Sequence, residues 1–276
     1  MDIKIKGENT DELHGLHMPV ANARGCILMV HGLGEHIARY RGVAAFFNDY
    51  NYSFIGLDLP GHGKSPGKRG HIANFDQYNE IVSAMAKFCR EREGDMPLIL
   101  YGHSLGGGIA LKYLLEKNNM DRGIITSPWI KLGFEPPKMK LILAYVVRHI
   151  LPSLLQPTGL VPEDISSDKS IVDEYRSDPL IHSMISVNLF VAANANARRL
   201  LNCRDELKIP VLIMHSGEDR ISSPDGSVIL AENNRMAEMK IWKNGYHELH
   251  NEVFKDEVLK YIVNWLNKEN GIKDKS

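Results

Sequence analysis

A serine between two glycines follows one short apolar run, and this feature constrains the fold more than any other. Residues 98–101 are apolar and predict a buried strand, and the motif Gly102-x-Ser104-x-Gly106 follows them directly. Residues 107–116 are rich in small and apolar side chains and predict a helix. A sharp turn from strand to helix leaves little room for side chains two positions before and after its apex, so glycines suit those positions. The pattern predicts that Ser104 stands clear at the carboxyl end of a strand.

Short apolar runs alternate with helical periods along most of the chain. After two short extended pieces before Gly25, the sequence predicts strands at residues 26–30, 52–57, 98–101, 123–126, 211–215 and 237–242. Helices are predicted over residues 37–50, 75–91, 107–116 and 196–206. A last helix is predicted near the C-terminus, where apolar side chains between Phe254 and Leu266 share one face. Alternation of this kind is typical of an α/β domain, in which helices flank a central, mostly parallel sheet.

The alternation stops between residues 130 and 195. This segment contains helical and prolyl stretches but no strand that would fit the central sheet. We therefore predict a core formed by residues 1–129 and 196–276 and a helical cap at residues 130–195. Insertions of this length in compact domains are often functional lids; a purely structural excursion is the alternative.

The composition excludes several classes of function. The 276 residues are 43% hydrophobic and 24% charged, as in folded globular domains. The net charge of −1 provides no basic excess for a nucleic-acid backbone. The three cysteines have no CxxC spacing, which argues against a disulfide framework or a zinc ribbon and fits a reducing compartment. The 12 histidines show no ligand spacing, so we expect neither metal nor cofactor.

The first residues lack the apolar run of a secretory leader, so the sequence predicts a cytoplasmic protein. No sequence feature sets the number of subunits.

The partners that Ser104 needs for chemistry follow it in the chain. A serine hydroxyl is a weak nucleophile without a base. Asp219 follows the next-to-last predicted strand and His247 follows the last, so all three side chains are expected at carboxyl strand ends. His247 would accept the serine proton, and Asp219 would hold the imidazole tautomer and stabilise the imidazolium. Glu218 is the alternative acid, and His250, predicted one turn into the last helix, is the alternative base.

An acyl-transfer intermediate also needs two backbone donors for its oxyanion. The N–H of Leu105, directly after the serine, is one candidate. The second is the N–H of Leu33, in the glycine-rich loop His31-Gly32-Leu33-Gly34 after the first buried strand. Each such donor contributes roughly 10²–10³ in rate. An ordinary glycine turn is the alternative for this loop.

Several segments together resemble the monoacylglycerol lipases and related lysophospholipases, a family of α/β hydrolases with a helical cap. The matching segments are residues 31–36, 39–40, 58–65, 102–107, 127–128, 172–180 and 217–220. The resemblance extends from about residue 10 to residue 268. It includes residues 172–180 within the cap, which is more specific than the serine motif that the whole superfamily shares.

The resemblance implies an α/β-hydrolase fold and the triad of Ser104, Asp219 and His247, without a cofactor. It also implies that four residues lie near the polar, glycerol end of a lipid ester: Glu35, Arg39, Tyr175 and His250. Ser222 departs from the family because mammalian members carry a cysteine there, so the sensitivity to thiol reagents implied for this position does not carry over.

The cap contains a dense apolar cluster whose chemistry fits a lipid. Its members are Met139, Leu141, Ile142, Leu143, Val146, Val147, Ile150, Leu151, Leu154, Leu155, Leu160 and Val161. Burial of an acyl chain gains ~0.8 kcal/mol per CH₂, so this cluster could bind one; packing against the core is the alternative. The neighbouring Arg148, Lys138 and Lys140 suggest that the cap also rests on a membrane surface.

Two other functions are compatible with the serine motif. A peptidase of the same fold would need an acidic pocket for the terminal amine of its substrate, whereas this cap is mainly apolar. A non-catalytic hydrolase fold that only binds ligands would be expected to lack a member of the triad. The sequence therefore favours hydrolysis of a carboxylic ester of a single-chain lipid.

Overall fold

The computed structural model describes residues 1–7, 11–134 and 137–269, so the last seven residues of the predicted core lie outside it. Within these ranges the chain forms ten strands: β1 Asp2–Lys6, β2 Glu12–Met18, β3 Cys26–Val30, β4 Ser53–Leu57, β5 Leu98–His103, β6 Arg122–Thr126, β7 Leu155–Pro157, β8 Met184–Ser186, β9 Val211–Ser216 and β10 Ala237–Trp242. The α-helices are α1 Arg41–Asp49, α2 Gln77–Glu93, α3 Leu105–Glu116, α4 Lys138–Ile150, α5 Lys169–Ser177, α6 Val187–Leu201, α7 Pro224–Glu232 and α8 Lys255–Glu269. Short 3₁₀ turns lie at Ile37–Tyr40, Pro162–Asp164 and Leu249–Asn251.

Eight strands form the central sheet in the order β1-β2-β4-β3-β5-β6-β9-β10. The pairs β1–β2 and β2–β4 are antiparallel, and every later neighbour pairs in parallel. The predicted mostly parallel sheet is confirmed. Parallel pairing aligns the carboxyl ends of β3, β5, β6, β9 and β10 at one edge, and the loops at this edge carry the candidate site.

Helices cover both faces of the sheet because its inner strands are apolar on both faces. Side chains alternate along β3: Cys26, Leu28 and Val30 join one buried cluster, whereas Ile27 and Met29 join the other. The first cluster includes side chains of α2, α3 and α6, and the second includes those of α1 and α8. Such two-sided burial explains why the strands read as continuous apolar runs.

The segment predicted as a cap contains a small sheet of its own. Strands β7 and β8 pair only with each other in the part of the chain described, antiparallel and three residues long. Helix α4 packs through Ala144, Tyr145 and Val147 onto α6. As predicted, none of the residues described in this segment forms a strand of the central sheet.

The helix predicted at residues 196–206 differs from the structure at both ends. The boundary at residues 195/196 falls inside α6, and this helix ends at Leu201 rather than at residue 206. Ser186 caps the helix by accepting from the N–H of Leu189, so the helix begins inside the predicted cap. Its buried face continues through Ala197 and Leu200 into the core. Helix α7, between Asp219 and the last strand, was not predicted.

The fold brings together two cysteines that lie far apart in the sequence. The Sγ atoms of Cys26 and Cys89 are 2.9 Å apart, and Glu93 approaches the same point. Two thiolates on one tetrahedral zinc would be about 3.8 Å apart, given Zn–S bonds of ~2.3 Å. The contact is therefore too close for a zinc site, and all three cysteines are free thiols.

Candidate active site

Ser104 occupies a strained turn between β5 and α3. Its backbone φ of 55° and ψ of −118° lie in a region that residues other than glycine rarely adopt. A Cβ on Gly102 would collide with the carbonyl of Gly106, and a Cβ on Gly106 would collide with the carbonyl of Val30. The two glycines thus allow helix α3 to start immediately beside the sheet. This arrangement leaves the Ser104 hydroxyl at the base of a pocket.

The structure brings together the three residues predicted to act as a triad. His247 Nε2 lies 2.8 Å from Ser104 Oγ, and His247 Nδ1 lies 2.7 Å from Asp219 Oδ2. Glu218, the alternative acid, is exposed to solvent. The geometry suits transfer of the serine proton to the imidazole, because both contacts are within hydrogen-bonding distance.

Asp219 is buried and held at both carboxylate oxygens. Its Oδ1 accepts from the backbone N–H groups of Ile221 and Ser222, at 2.8 and 3.0 Å. Burial alone would raise the pKa of the Asp219 carboxyl. The charge of His247 and hydrogen bonds from His215 and His247 outweigh burial and hold that pKa well below its usual range. Asp219 is therefore a carboxylate throughout the physiological pH range.

Residues of the predicted core and of the predicted cap hold the backbone of His247 from two sides. Ser127 Oγ donates to the carbonyl of His247 at 2.8 Å. From the cap, the carbonyl of Asp164 accepts from the N–H of His247 at 3.3 Å, and that of Ile165 accepts from the N–H of Glu248 at 2.7 Å. The insertion thus contributes to the placement of the candidate base.

Burial and Asp219 act in opposite directions on His247. Burial disfavours the charged imidazolium and would lower the pKa of His247. The negative charge and hydrogen bond of Asp219 dominate, so the pKa of His247 lies above 6.5. For His250, burial is the stronger influence and lowers its pKa to about 4. The two candidate bases therefore differ clearly in basicity.

The loop after β3 presents one of the two predicted oxyanion donors. In the part of the chain described, the N–H groups of Leu33 and Leu105 have no hydrogen-bond partner, and Leu33 lines the pocket. Glu35 Oε1 accepts from the N–H of Gly32 at 2.6 Å and so fixes this loop. A Cβ on Gly32 would lie 3.2 Å from the Cβ of Ser104, which shows how closely the loop approaches the serine.

Glu35 belongs to a buried ionic cluster behind the pocket. Arg39 Nη1 lies 2.8 Å from Glu35 Oε2, and its two Nη atoms each lie 2.7 Å from an oxygen of Glu248. Burial raises the pKa of Glu35, and the negative charge of neighbouring Glu248 raises it further. The positive charge of Arg39 lowers that pKa but does not outweigh the other two effects. Burial would also raise the pKa of Glu248, but the paired guanidinium of Arg39 lowers it to about 2. Arg39 thus balances one of the two acidic charges beside the site.

The four residues implied for the polar end of a lipid lie at different depths. Glu35 and Tyr175 line the pocket. Arg39 lies behind them, with its guanidinium 5.1 Å from the centre of the Tyr175 ring. His250 is fully buried, and its ring stacks on that of Tyr40. It lies in the 3₁₀ turn Leu249–Asn251 and not, as was predicted, in the last helix. Contact with substrate stays a prediction for all four.

The pocket above Ser104 encloses a cavity of about 70 Å³. Its apolar wall comes from both core and cap: Leu33, Trp129, Leu132, Phe134, Leu160, Ile165, Ile185, Phe190 and Ile221. Of the twelve cap residues predicted to bind an acyl chain, Leu160 is the one found in this wall. Most of the others face solvent, so that interpretation was wrong for the cluster as a whole.

Several residues of the site were not identified from the sequence. His215 and Ser227 extend the hydrogen bonds of Asp219, and Ser127 holds the backbone of His247. His215 reads as one more residue of a buried strand, so composition gave no signal. Ser127 lies in a family-like segment, and Glu248 adjoins His247, so both positions could have been found.

Comparisons with known proteins agree with this geometry. The family model described as "Serine aminopeptidase, S33" (Hydrolase_4) matches residues 21–253. The chain belongs to this family. Its relatives include the monoacylglycerol lipase of Mycolicibacterium smegmatis, 25% identical over 252 residues, which are 90% of each chain. The monoglyceride lipase of Mus musculus is 27% identical over 256 residues, 90% of this chain and 84% of the relative.

Two solved lipase structures superpose over nearly the whole chain. The crystal structure of the Paleococcus ferrophilus monoacylglycerol lipase gives a TM-score of 0.86 at 31% identity and covers 94% of this chain and 99% of that one. A soluble variant of the Saccharomyces cerevisiae monoglyceride lipase, crystallised with a substrate analog, gives a TM-score of 0.84 at 25% identity. The match covers 97% of this chain and 96% of that one. The chain is therefore a carboxylic ester hydrolase of the α/β-hydrolase fold, similar to monoacylglycerol lipases.

A Dictyostelium discoideum abhydrolase-domain protein, described as uncharacterized, is 33% identical over 245 residues. The match covers 87% of this chain, which spans 26% of the length of that relative.

Proposed function

We propose that this family member hydrolyses esters of single-chain lipids, with monoacylglycerol as its preferred substrate, by way of an acyl-enzyme on Ser104. The observation that carries the proposal is the hydrogen-bonded line from Asp219 through His247 to Ser104 at the base of a mostly apolar pocket. Glycerol and a fatty acid are the products.

The reaction proceeds in two steps. Ser104 Oγ attacks the ester carbonyl while His247 Nε2 takes its proton, and the N–H groups of Leu33 and Leu105 bind the oxyanion. The C–O bond to glycerol then breaks, and the imidazolium returns the proton to the leaving alkoxide oxygen. Water, deprotonated by His247, attacks the acyl-enzyme in the same way, and the fatty acid leaves with Ser104 regenerated.

The pocket wall supports an acyl chain as the apolar part of the substrate. A chain of about 14 carbons could gain on the order of 10 kcal/mol by burial, against association costs of ~4–15 kcal/mol. Chain burial would therefore contribute most of the affinity. Glu35 and Tyr175, which line the same pocket, are the proposed contacts of the glycerol hydroxyls, with Arg39 and His250 supporting them.

A peptidase is the weaker candidate even though the family model is described as a serine aminopeptidase. Capture of a substrate ammonium would require a free carboxylate in the pocket. Both Glu35 and Glu248 line it, but Arg39 lies within 2.8 Å of each. An amine substrate would have to compete with that guanidinium for the two carboxylates.

Lysophospholipid is the second candidate substrate. The phospholipase YtpA of Bacillus subtilis is 27% identical over 248 residues, 85% of this chain and 92% of the relative. Monoacylglycerol is favoured because the polar residues found in the pocket wall include no lysine or arginine to pair with a phosphate.

A substrate panel tests the proposal. Monoacylglycerols, lysophospholipids, short-chain esters and aminoacyl amides are assayed at equal concentration with the intact protein. We expect kcat/KM to be highest for a monoacylglycerol and aminoacyl amides to be inert. Preference for a lysophospholipid would select the second candidate, and turnover of aminoacyl amides alone would contradict ester hydrolysis.

We also propose that residues 130–195 act as a cap that rests on a lipid surface. The supporting observation is a row of exposed apolar side chains on and after α4: Met139, Ile142, Leu143, Val146, Ile150, Leu151 and Leu154. Exposed apolar patches of this kind mark contact surfaces. Of the basic residues cited for this role, Lys140 is exposed, but Arg148 is half-buried and donates to Asn188. The side chain of Lys138 lies outside the described residues.

No α-helix within the described ranges has both the length and the apolar content needed to cross a membrane.

The double variant Ile142→Asp/Ile150→Asp tests surface binding. Burial of each side chain in a lipid interface gains ~1.5–3 kcal/mol, so we expect binding to monoacylglycerol-containing vesicles to fall more than tenfold. Activity on a short-chain soluble ester should stay within twofold, because neither residue lines the pocket. Co-sedimentation measures the binding. Ile229→Asp on α7 is the matched control, and equal loss in both variants, or no vesicle binding by the parent protein, contradicts the proposal.

The pH dependence of kcat/KM identifies the base. His247 accepts the serine proton only when neutral, and its pKa lies above 6.5, so activity should fall as pH drops through a midpoint above 6.5. If His250 were the base, the midpoint would lie near 4, where the pKa of that residue lies. A soluble ester assayed between pH 4 and 9 distinguishes the two.

A further inference from the structure

A second histidine binds the same carboxylate oxygen as His247. His215, on β9, has its Nε2 3.0 Å from Asp219 Oδ2, opposite the 2.7 Å contact from His247 Nδ1. Its Nδ1 lies 2.8 Å from the hydroxyl of Ser227 on α7. Both His215 and Ser227 are completely buried. Neither residue has a role in the mechanism described above.

The partners of His215 determine its tautomer. Asp219 Oδ2 and the carbonyl of Ser222, 3.1 Å away, can only accept, so Nε2 carries the hydrogen. In the neutral ring Nδ1 then accepts from the Ser227 hydroxyl. Ser227 thereby fixes the ring so that its N–H points at Asp219.

Ser222 is a second donor to this oxygen and, like His215, has one hydrogen with two acceptors in reach. Its Oγ lies 3.0 Å from Asp219 Oδ2 but also 3.0 Å from the carbonyl of Ser127, and a hydroxyl has one hydrogen to share between them. Asp219 Oδ1 is already fixed by two backbone N–H groups. The orientation of Oδ2, the oxygen that His247 uses, is therefore set by His215 together with the Ser222 hydroxyl.

We propose that His215, held by Ser227, is a positioning residue for ester hydrolysis: it fixes Oδ2 of Asp219 and takes part of the negative charge that this oxygen would otherwise offer to His247. The inference rests on the proposed function of Ser104, Asp219 and His247. It adds two buried residues to the chain of hydrogen bonds, which then runs from Ser227 to Ser104.

The proposal predicts a directional change in pH dependence. Without the N–H of His215, Asp219 stabilises the imidazolium more strongly, so the pKa of His247 rises and the acid limb of kcat/KM moves to higher pH. The other ionisable groups near His247, all unchanged in the variants, are His103, His250, Glu35, Glu248, Arg39 and Tyr175.

Four variants of the intact protein test the proposal. In His215→Leu we expect kcat to fall about tenfold, the scale of one hydrogen bond to a charged group, with KM within twofold and the acid limb at least half a pH unit higher. His215→Gln can place an amide N–H near the position of Nε2, so it should restore the limb and most of kcat. Ser227→Ala should shift the limb in the same direction by a smaller amount.

His17→Leu is the matched control. His17 is also a buried histidine on a carboxylate, with Nε2 2.8 Å from Glu93 Oε1, but it lies outside the pocket. Its loss should lower the melting temperature without moving the limb. An unchanged or lower limb in His215→Leu, or the same shift in the His17 control, would overturn the proposal.

A direct titration separates this inference from the proposed function. The imidazole C–H signals of the parent protein and of Ser227→Ala are followed by NMR against pH, with His247 assigned from His247→Gln. We expect a higher pKa for His247 in Ser227→Ala, whether or not any ester is turned over. An equal pKa in both proteins refutes the positioning role, whereas inactivity of the parent on all esters refutes the proposed function.

Discussion

Ser104→Ala should reduce kcat for a monoacylglycerol by about 10⁶, because no other hydroxyl in the described site lies within hydrogen-bonding distance of His247 Nε2. The alanine keeps a Cβ in the same strained turn, so the fold and pocket should persist. Binding of a non-hydrolysable substrate analogue should therefore change little. Single-turnover assays with a sensitive fluorogenic ester cover the required range.

His247→Ala and the double variant complete this experiment. Both residues act in the same proton transfer, so each single change should cost about as much as the two together. If the losses of the single variants multiplied in the double variant, serine and histidine would be acting independently. Near-full ester activity in Ser104→Ala would show that Ser104 is not the nucleophile.

Asp219→Asn should reduce kcat about 10⁴-fold, the loss expected when the acid of such a triad becomes an amide. The structure gives a specific reason. Oδ1 accepts two backbone N–H groups, and Oδ2 accepts from His247 and His215. An amide has one oxygen, so its NH₂ group must face donors on one side. Either the loop or the imidazole loses its partner.

Glu218→Gln is the control for this change. Glu218 precedes Asp219 and is exposed, so its activity should stay within twofold of the parent. A loss of less than tenfold in Asp219→Asn would mean that the carboxylate only supports the fold. Thermal melting of both variants separates these two explanations, because a structural role lowers the melting temperature without changing kcat of the folded enzyme.

The sequence predicted best those features that depend on strand ends. Ser104, Asp219 and His247 each follow an apolar run, and parallel pairing places such positions at one edge whatever the details of packing. The strand at Cys26–Val30 and the last strand at Ala237–Trp242 were predicted to the residue, because buried parallel strands read as bounded apolar runs. The fold class follows from the same pattern.

Features that depend on tertiary partners could not be predicted. An apolar residue of α4 reads the same whether it faces an acyl pocket, the core or solvent, so the orientation of Ile142 and Ile150 required the structure. In the sequence, His215 resembles any other residue of a buried strand. Only the fold shows that the loop after this strand places Asp219 against its ring. The contact between Cys26 and Cys89 depends on how α2 packs on β3.

The strained backbone at Ser104 lowers thermal stability at the same position that catalysis requires. A glycine at this position would relax the turn, and strain of this kind costs of order 1–3 kcal/mol. The change that would most readily make this region of the protein hardier is therefore the one that abolishes its chemistry. Laboratory selection for heat resistance alone would favour an inert descendant, whereas selection that also demands ester turnover must find its stabilising changes away from residue 104.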